Sequence, residues 1–254
     1  MEILTRCLAP NLRFLTPILL VLSFLSGATF AGNLNTGLTD PPVVSPKRFG
    51  ADVSAFYLGL SAGYASTGTD QFGLRTPADL FALGELDLKG GYGGIRGGWR
   101  GIVPVTGGRD YVYGFEIGYD FGTIENDASA EISSVTVSGG SEVSDVLSLR
   151  FRNGLTNKSG KILYFITVGY VQGDVTTTSG LELGPTIQSF SDSDTRNGFS
   201  ASVGAEHRLS DNWSITGEVE YVQFDSREVE FGNGFSTKST PKYRGLRFGL
   251  NYTF

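Results

Sequence analysis

From Leu246 to the end the chain alternates without a break. Leu246, Phe248, Leu250, Tyr252 and Phe254 are apolar, and Arg247, Gly249, Asn251 and Thr253 fall between them. Successive side chains of a strand point to opposite faces, so this run predicts a strand with one apolar and one polar face. The same period of two recurs at about 53–65, 91–101, 110–122, 145–155, 161–173, 197–208 and 213–225, with the last segment at 243–254. The connections alternate in length: short near 102–109, 156–160 and 209–212, long at 66–90, 123–144, 174–196 and 226–242. An even strand count, tight turns at one end and long loops at the other are expected of a membrane-spanning barrel. The pattern predicts an all-β fold, an eight-stranded antiparallel up-and-down transmembrane β-barrel over 53–254.

Each segment can be split by parity. One face carries Phe56, Leu58 and Leu60, then Phe115, Ile117 and Tyr119, then Ile162, Tyr164 and Ile166, and so on to the final strand, with no charge anywhere in the set. A Lys or Arg there would cost about 2–4 kcal/mol at mid-membrane. Aromatics gather at the segment ends, as interfacial girdles require: Trp99, Tyr111, Trp213 and Phe254 at one, Tyr64, Phe121 and Phe199 at the other. The opposite face collects Arg96 and Arg100, Glu116 and Asp120, Arg150 and Arg152, Glu206 and Arg208, Glu218 and Glu220, and Arg247. Neighbouring strands tend to carry opposite signs, so these side chains are candidates for a paired network inside the barrel. The hairpin at 102–109 places Arg96 roughly opposite Glu116, and depth along the strands places Glu218 near Arg247.

Upstream of the first strand, residues 1–31 read as an export signal. Arg6 and Arg13 flank the start, Ile18–Leu25 is the apolar core, and small residues follow, with cleavage after Ala31 or Ala28. An uncleaved anchor is the alternative, disfavoured by Pro17 and the short core. The Pro-rich stretch 32–52, with no periodicity, reads as a periplasmic linker. A mean hydropathy of -0.03 excludes a helical membrane bundle and leaves a barrel open, because strands dilute each apolar residue with a polar one. The net charge of -6 argues against a nucleic-acid partner. A single Cys, Cys7, and a single His, His207, rule out a disulfide framework and Cys/His zinc sites.

Phe56–Tyr64 (Phe-Tyr-Leu-Gly-Leu-Ser-Ala-Gly-Tyr) and Gly245–Phe254, with the Pro-rich run ahead of the first strand, resemble the OmpA-like, opacity-type outer-membrane barrels of Gram-negative bacteria, particularly the alphaproteobacterial surface-antigen group. The resemblance implies a cell-outer-membrane location, exposed variable loops and no catalytic set to carry over. It also implies that Phe248, Leu250, Tyr252 and Phe254 form the signal read by the barrel-assembly machinery. Outer-membrane lipid and lipopolysaccharide are the expected surroundings, and both termini are expected in the periplasm.

Other motifs change little. Gly90–Gly98 lacks the Gly-Lys-Ser/Thr ending of a phosphate loop and reads as strand glycines. Asp192–Asn197 opens like a calcium loop but has no Gly in sixth place and no closing Glu, so it reads as a polar loop. His207 has Ser210 three residues on, with opposite parity, a poor arrangement for activating a nucleophile. The first three long loops are acidic on balance, which favours divalent cations or a basic partner beside anionic lipopolysaccharide. Leu80, Phe81, Leu83, Leu86 and Leu88 make the first loop apolar, leaving three placements open: a longer second strand, a fold over the barrel mouth, or a contact with an extracellular partner. The expected role is structural and surface-presenting, without enzyme activity, cofactor or metal. A narrow gated, porin-like channel is the alternative.

Overall fold

The computed structural model describes residues 54–66, 70–77, 80–132, 135–232 and 234–254. The export signal and linker expected at 1–31 and 32–52 lie outside the described residues.

Among the described residues thirteen strands follow in order: β1 Ser54–Ala65, β2 Asp70–Arg75, β3 Leu80–Leu86, β4 Gly90–Val105, β5 Arg109–Gly122, β6 Ile124–Ile132, β7 Val135–Thr156, β8 Ile162–Leu183, β9 Thr186–Arg208, β10 Trp213–Phe224, β11 Arg227–Gly232, β12 Phe235–Ser239 and β13 Lys242–Thr253. Eight of them close on themselves. The antiparallel ladders run β1–β4–β5–β7–β8–β9–β10–β13 and return from β13 to β1. Each of the eight predicted segments is one of these strands. The circuit leaves no free edge, which is how a sheet satisfies its backbone inside a membrane.

The tight turns have local causes. Gly107 and Gly108, with φ of 85° and 73°, reverse the chain between β4 and β5 in a conformation that residues with a Cβ avoid. Between β7 and β8, the Asn157 side-chain oxygen accepts from the Lys161 and Ile162 amides.

At the other end the long connections are not irregular loops. β7, β8 and β9 run for 22, 22 and 23 residues, about twice what a tilted span requires. Their outer halves continue as a sheet, with β6 on the edge beside β7. The first and last long connections supply β2, β3, β11 and β12, a separate sheet in the order β11–β12–β2–β3. β3 packs beside β6 and β7, and β11 beside β9, with no ladder between the two sheets among the described residues. The apolar run of the first loop therefore supplies β3 and, through Leu86 and Leu88, part of the core. A bulge on β7 marks where the outer half begins: Ser144 pairs with Asp174 and Leu147 with Gln172, leaving Asp145, at φ 51°, and Val146 outside that ladder.

The interior is layered. Ile102, Val112, Leu163 and Phe165 form an apolar cluster at the short-turn end. At the other mouth a larger one joins Leu88, Tyr92, Val146, Val171, Phe224 and Tyr243 with their neighbours. Between them the buried residues are mostly charged or hydroxyl-bearing.

Candidate functional site in the barrel lumen

The alternation that aims apolar side chains outward aims the charged ones in. Ten buried ionised groups meet there: Arg96, Arg100, Arg150, Arg152 and Arg247 with Glu116, Asp120, Glu206, Glu218 and Glu220. Five cations face five carboxylates, so the set is neutral. Burial of this kind is tolerated only when each charge is paired and its remaining sites are hydrogen-bonded.

Near the short-turn end Arg100 donates to Glu206 at 2.9 Å and Arg152 to the other Glu206 oxygen at 3.2 Å, while Ser214 Oγ adds a third bond at 2.6 Å. Arg152 also reaches Glu116 at 3.1 Å, linking this level to the next. Glu116 is the hub: Arg150 bonds its Oε1, and Tyr57 donates to its Oε2 at 2.7 Å. Arg96 lies 4.0 Å from Glu116 and 3.3 Å from Glu218, with Thr216 accepting at 2.6 Å. Toward the long-loop end Arg247 takes both Asp120 oxygens, at 3.2 and 2.8 Å, and Glu220 at 2.9 Å. In the ladders Glu218 faces Arg247 directly, whereas Arg96 faces Gly118 and Glu116 faces Gly98, a two-residue stagger that the long arginine spans.

Luminal glycines make the room. A Cβ on Gly249 would occupy the place of the Arg96 guanidinium, and one on Gly63 that of the Tyr92 ring, whose hydroxyl donates to Glu220. Within Gly90–Gly98, the run read as strand glycines, Gly94 likewise leaves space for the Asp120 carboxylate and Gly98 for the Tyr57 ring. A hollow of about 10 Å³ remains beside Arg100, Arg152 and Glu206, room for about one water.

Arg208, expected in the same network, is half-buried at the short-turn rim, its backbone amide bonded to Lys161 O. The neutral partners Tyr57, Tyr92, Ser202, Ser214, Thr216 and Thr253 were not singled out by charge. Their inward parity on the strands was the available signal.

The terminal residues face out: Phe248, Leu250, Tyr252 and Phe254 are exposed, and the Phe254 amide donates to Phe56 O at 3.0 Å. Trp213, Tyr252 and Phe254 stack edge to face at that rim, with centroids 5.1 and 5.3 Å apart. His207 is exposed on β9, and Ser210 accepts from the Trp213 amide in the adjoining turn. Asp192–Asn197, expected as a loop, lies within β9. Its Asp194 is held by Arg196 at 3.1 Å and by Arg227. Among the described residues no His, Cys, Asp and Glu group could hold a metal ion.

Two curated relatives, the 31 kDa outer-membrane immunogenic proteins of Brucella melitensis and Brucella suis, are each 26% identical over 209 residues, covering 78% of this chain and 82% of theirs. Among solved structures, Neisserial surface protein A overlays with a TM-score of 0.34 at 12% identity, over 78% of this chain and 97% of its own. The model of the family described as outer membrane protein beta-barrel domain matches residues 18–254, and the chain belongs to that family.

Proposed function

We propose that this outer-membrane barrel is a sealed structural and surface-presenting protein, with its long-loop end outside the cell and its termini in the periplasm. The observation that carries the reading is the filled lumen: five arginines paired with five carboxylates, closed at each end by an apolar cluster. Eight strands leave an interior about wide enough for side chains alone. The two-sheet end then serves as the contact surface toward an extracellular partner. An open hollow of about 410 Å³ there, lined by Asp127, Ser138, Thr178 and Ser191 among others, supports that role. The description of the Brucella relatives as immunogenic fits such exposure. Phe248, Leu250, Tyr252 and Phe254 act on this reading as the signal to the barrel-assembly machinery.

The rival is a narrow gated channel, favoured by the file of ionised groups along the lumen. Planar-bilayer recording separates the two. The sealed barrel passes little current, whereas sustained conductance whose selectivity shifts in Arg96→Ala or Arg247→Ala establishes the channel. Orientation has its own test: a tag within 182–190 should be reachable on intact cells and one at Asp211 should not.

A further inference from the structure

At the rim where the long strands leave the apolar band, the outward face is not electrically uniform. On the β5–β9 side it is acidic. Glu125 and Glu142 are direct ladder partners, Asp174 pairs with Ser144, and Asp145 accepts from the Tyr119 hydroxyl at 2.8 Å. On the β1–β13–β10 side it is basic. Outward parity on β13 runs from the exposed Phe248 and Leu246 up to Arg244 and Lys242. Arg244 faces Tyr221 across the ladder and Lys242 faces Gln223. The Arg244 guanidinium lies 5.8 Å from the Tyr221 ring centre, and the Tyr221 ring lies 5.8 Å from that of Phe199. Tyr221 donates its hydroxyl proton to Gln223 Oε1, which leaves the amide nitrogen of Gln223 to donate elsewhere. Among the described residues no carboxylate forms an ion pair with Arg244 or Lys242, although the luminal arginine on the same strand, Arg247, pairs with Asp120 and Glu220.

Directly below the two cations the surface is continuous and apolar: Tyr64, Leu246, Val219 and Val203 are ladder neighbours and each is more than half exposed. Acyl chains would lie on these residues. A headgroup attached to those chains would then sit at the level of Arg244, Lys242 and the Gln223 amide, three donors with no acid among them. Guanidinium and ammonium donors suit a phosphate monoester, and long basic side chains at a membrane edge carry their charge to the headgroup layer.

We propose that Lys242 and Arg244, with Gln223, Tyr221 and Phe199, form a site for the phosphate of a phosphorylated acyl lipid in the outer leaflet, its chains on Tyr64, Leu246, Val219 and Val203. The site rests on the outward orientation of the long-loop end argued above. It deepens that reading from a generic lipid surround to one sector of the rim.

The experiment places the purified full chain in phosphatidylcholine nanodiscs doped with diphosphorylated lipid A, or with the same lipid after removal of its phosphates. Lipid retained on the extracted barrel is counted by native mass spectrometry. The parent should hold the phosphorylated lipid and not the dephosphorylated one. Two basic residues near an anionic lipid surface are together worth roughly a 30-fold change in partition, so the Lys242→Gln/Arg244→Gln double variant should lose retention by about that factor. Lys158→Gln/Lys161→Gln, in the short turn at the other rim, should match the parent. Heat-modifiable gel mobility verifies that the variants are folded, and Arg244→Gln alone serves where the double variant is not. Equal retention of the two lipids, unchanged retention in the folded double variant, or displacement of the lipid by millimolar inorganic phosphate would each overturn the proposal, the last by showing a site for free phosphate. A nanodisc exposes both rims, so this result is independent of the surface-tag test of orientation.

Discussion

The inner and outer halves of β7, β8 and β9 are one continuous backbone in two different settings. In the inner half every strand is paired on both sides and the circuit is closed. In the outer half the same strands end at β6, and the facing sheet β11–β12–β2–β3 docks without a ladder among the described residues. Both interiors hold buried charge, but the outer one is built differently. Arg196, buried on β9, donates to Asp194, Ser239 and Thr177, while buried Asp70 on β2 accepts from Ser239 Oγ and the Thr240 amide, each at 2.6 Å. Phe190 stacks on Phe231 and Phe235, both 5.2 Å away, tying β9 to β11 and β12. A closed ladder holds the inner half by backbone and buried charge together, whereas the outer half depends on a few side chains across two seams. The two should fail separately.

Glu116→Ala is the largest test of that separation. It strips Arg150 and Arg152 of a shared carboxylate and Tyr57 of its acceptor. Breaking a buried ion pair from one side costs about 3–5 kcal/mol, so the whole barrel should weaken. Heat-modifiable mobility and urea unfolding in lipid vesicles read the loss; a Glu116→Ala barrel as stable as the parent would mean that the network contributes little. An arginine scan down the outward face of β8 comes next. Val168→Arg, in the apolar band, should cost about 2–4 kcal/mol. Thr176→Arg, eight residues on with the same parity, should stay within about 0.5 kcal/mol. Equal costs at the two positions would contradict the assigned membrane edge.

That edge also accounts for which parts of the fold were legible in the sequence. Below it, apolar and polar residues alternate and all eight strands could be found. Above it, Thr176, Thr178, Ser191 and Ser193 face out, and on the inward face Thr177, Ser179 and Ser141 interrupt the buried Val137, Val143 and Val175, so the period of two leaves only a broken hydropathy trace. The bulge at Asp145 shifts the phase of β7 as well, which is why a segment starting at 145 was readable and the ten residues before it were not. Luminal charges were legible because a charge on the inward face of a membrane strand has to find its partner inside the barrel. Two pairings were legible: Glu218 with Arg247, from depth along the strands, falls directly opposite in the ladder, and Arg96 with Glu116, from the short turn, is offset by two residues. Tyr57 and Tyr92 were hidden by looking like two more aromatics in an aromatic-rich barrel. The buried Asp70 and Arg196 belong to connections that join only in three dimensions.

Arg196→Ala acts on the outer half alone. It leaves Asp194 with only the half-exposed Arg227 and removes the donors that Ser239 and Thr177 accept from. Losing hydrogen bonds to a buried charged group costs about 1–3 kcal/mol. Here that should appear as faster amide exchange and protease cleavage in β2, β3, β11 and β12, with barrel mobility on gels unchanged. Loss of the folded barrel in this variant would show that the two halves are one cooperative unit.

The smallest effect is a pH slope confined to the same sheets. Burial pushes the Asp70 carboxyl above its ordinary value of 3.8, against the bonds from Ser239, Thr240 and Ser141 and the charge of Arg196, which pull it down. The folded state therefore holds a proton that the unfolded state has already released. Between the unfolded and the raised folded pKa, the folded form binds more protons, so stability falls as pH rises through that window and is flat above it. Acidifying toward the ordinary carboxylate range should slow exchange in β2 and β12 once the intrinsic pH dependence of exchange is divided out. Asp70→Asn keeps a neutral amide facing Ser239 and Thr240 and should abolish the slope while leaving the pH response of β1 and β13 untouched. A parent whose β2 and β12 protection is constant across the acidic range, or an Asp70→Asn variant that retains the slope, would show that Asp70 is not the titrating group. In that case the outer half would rest on Arg196 and the phenylalanine stack, with no acid-sensitive element of its own.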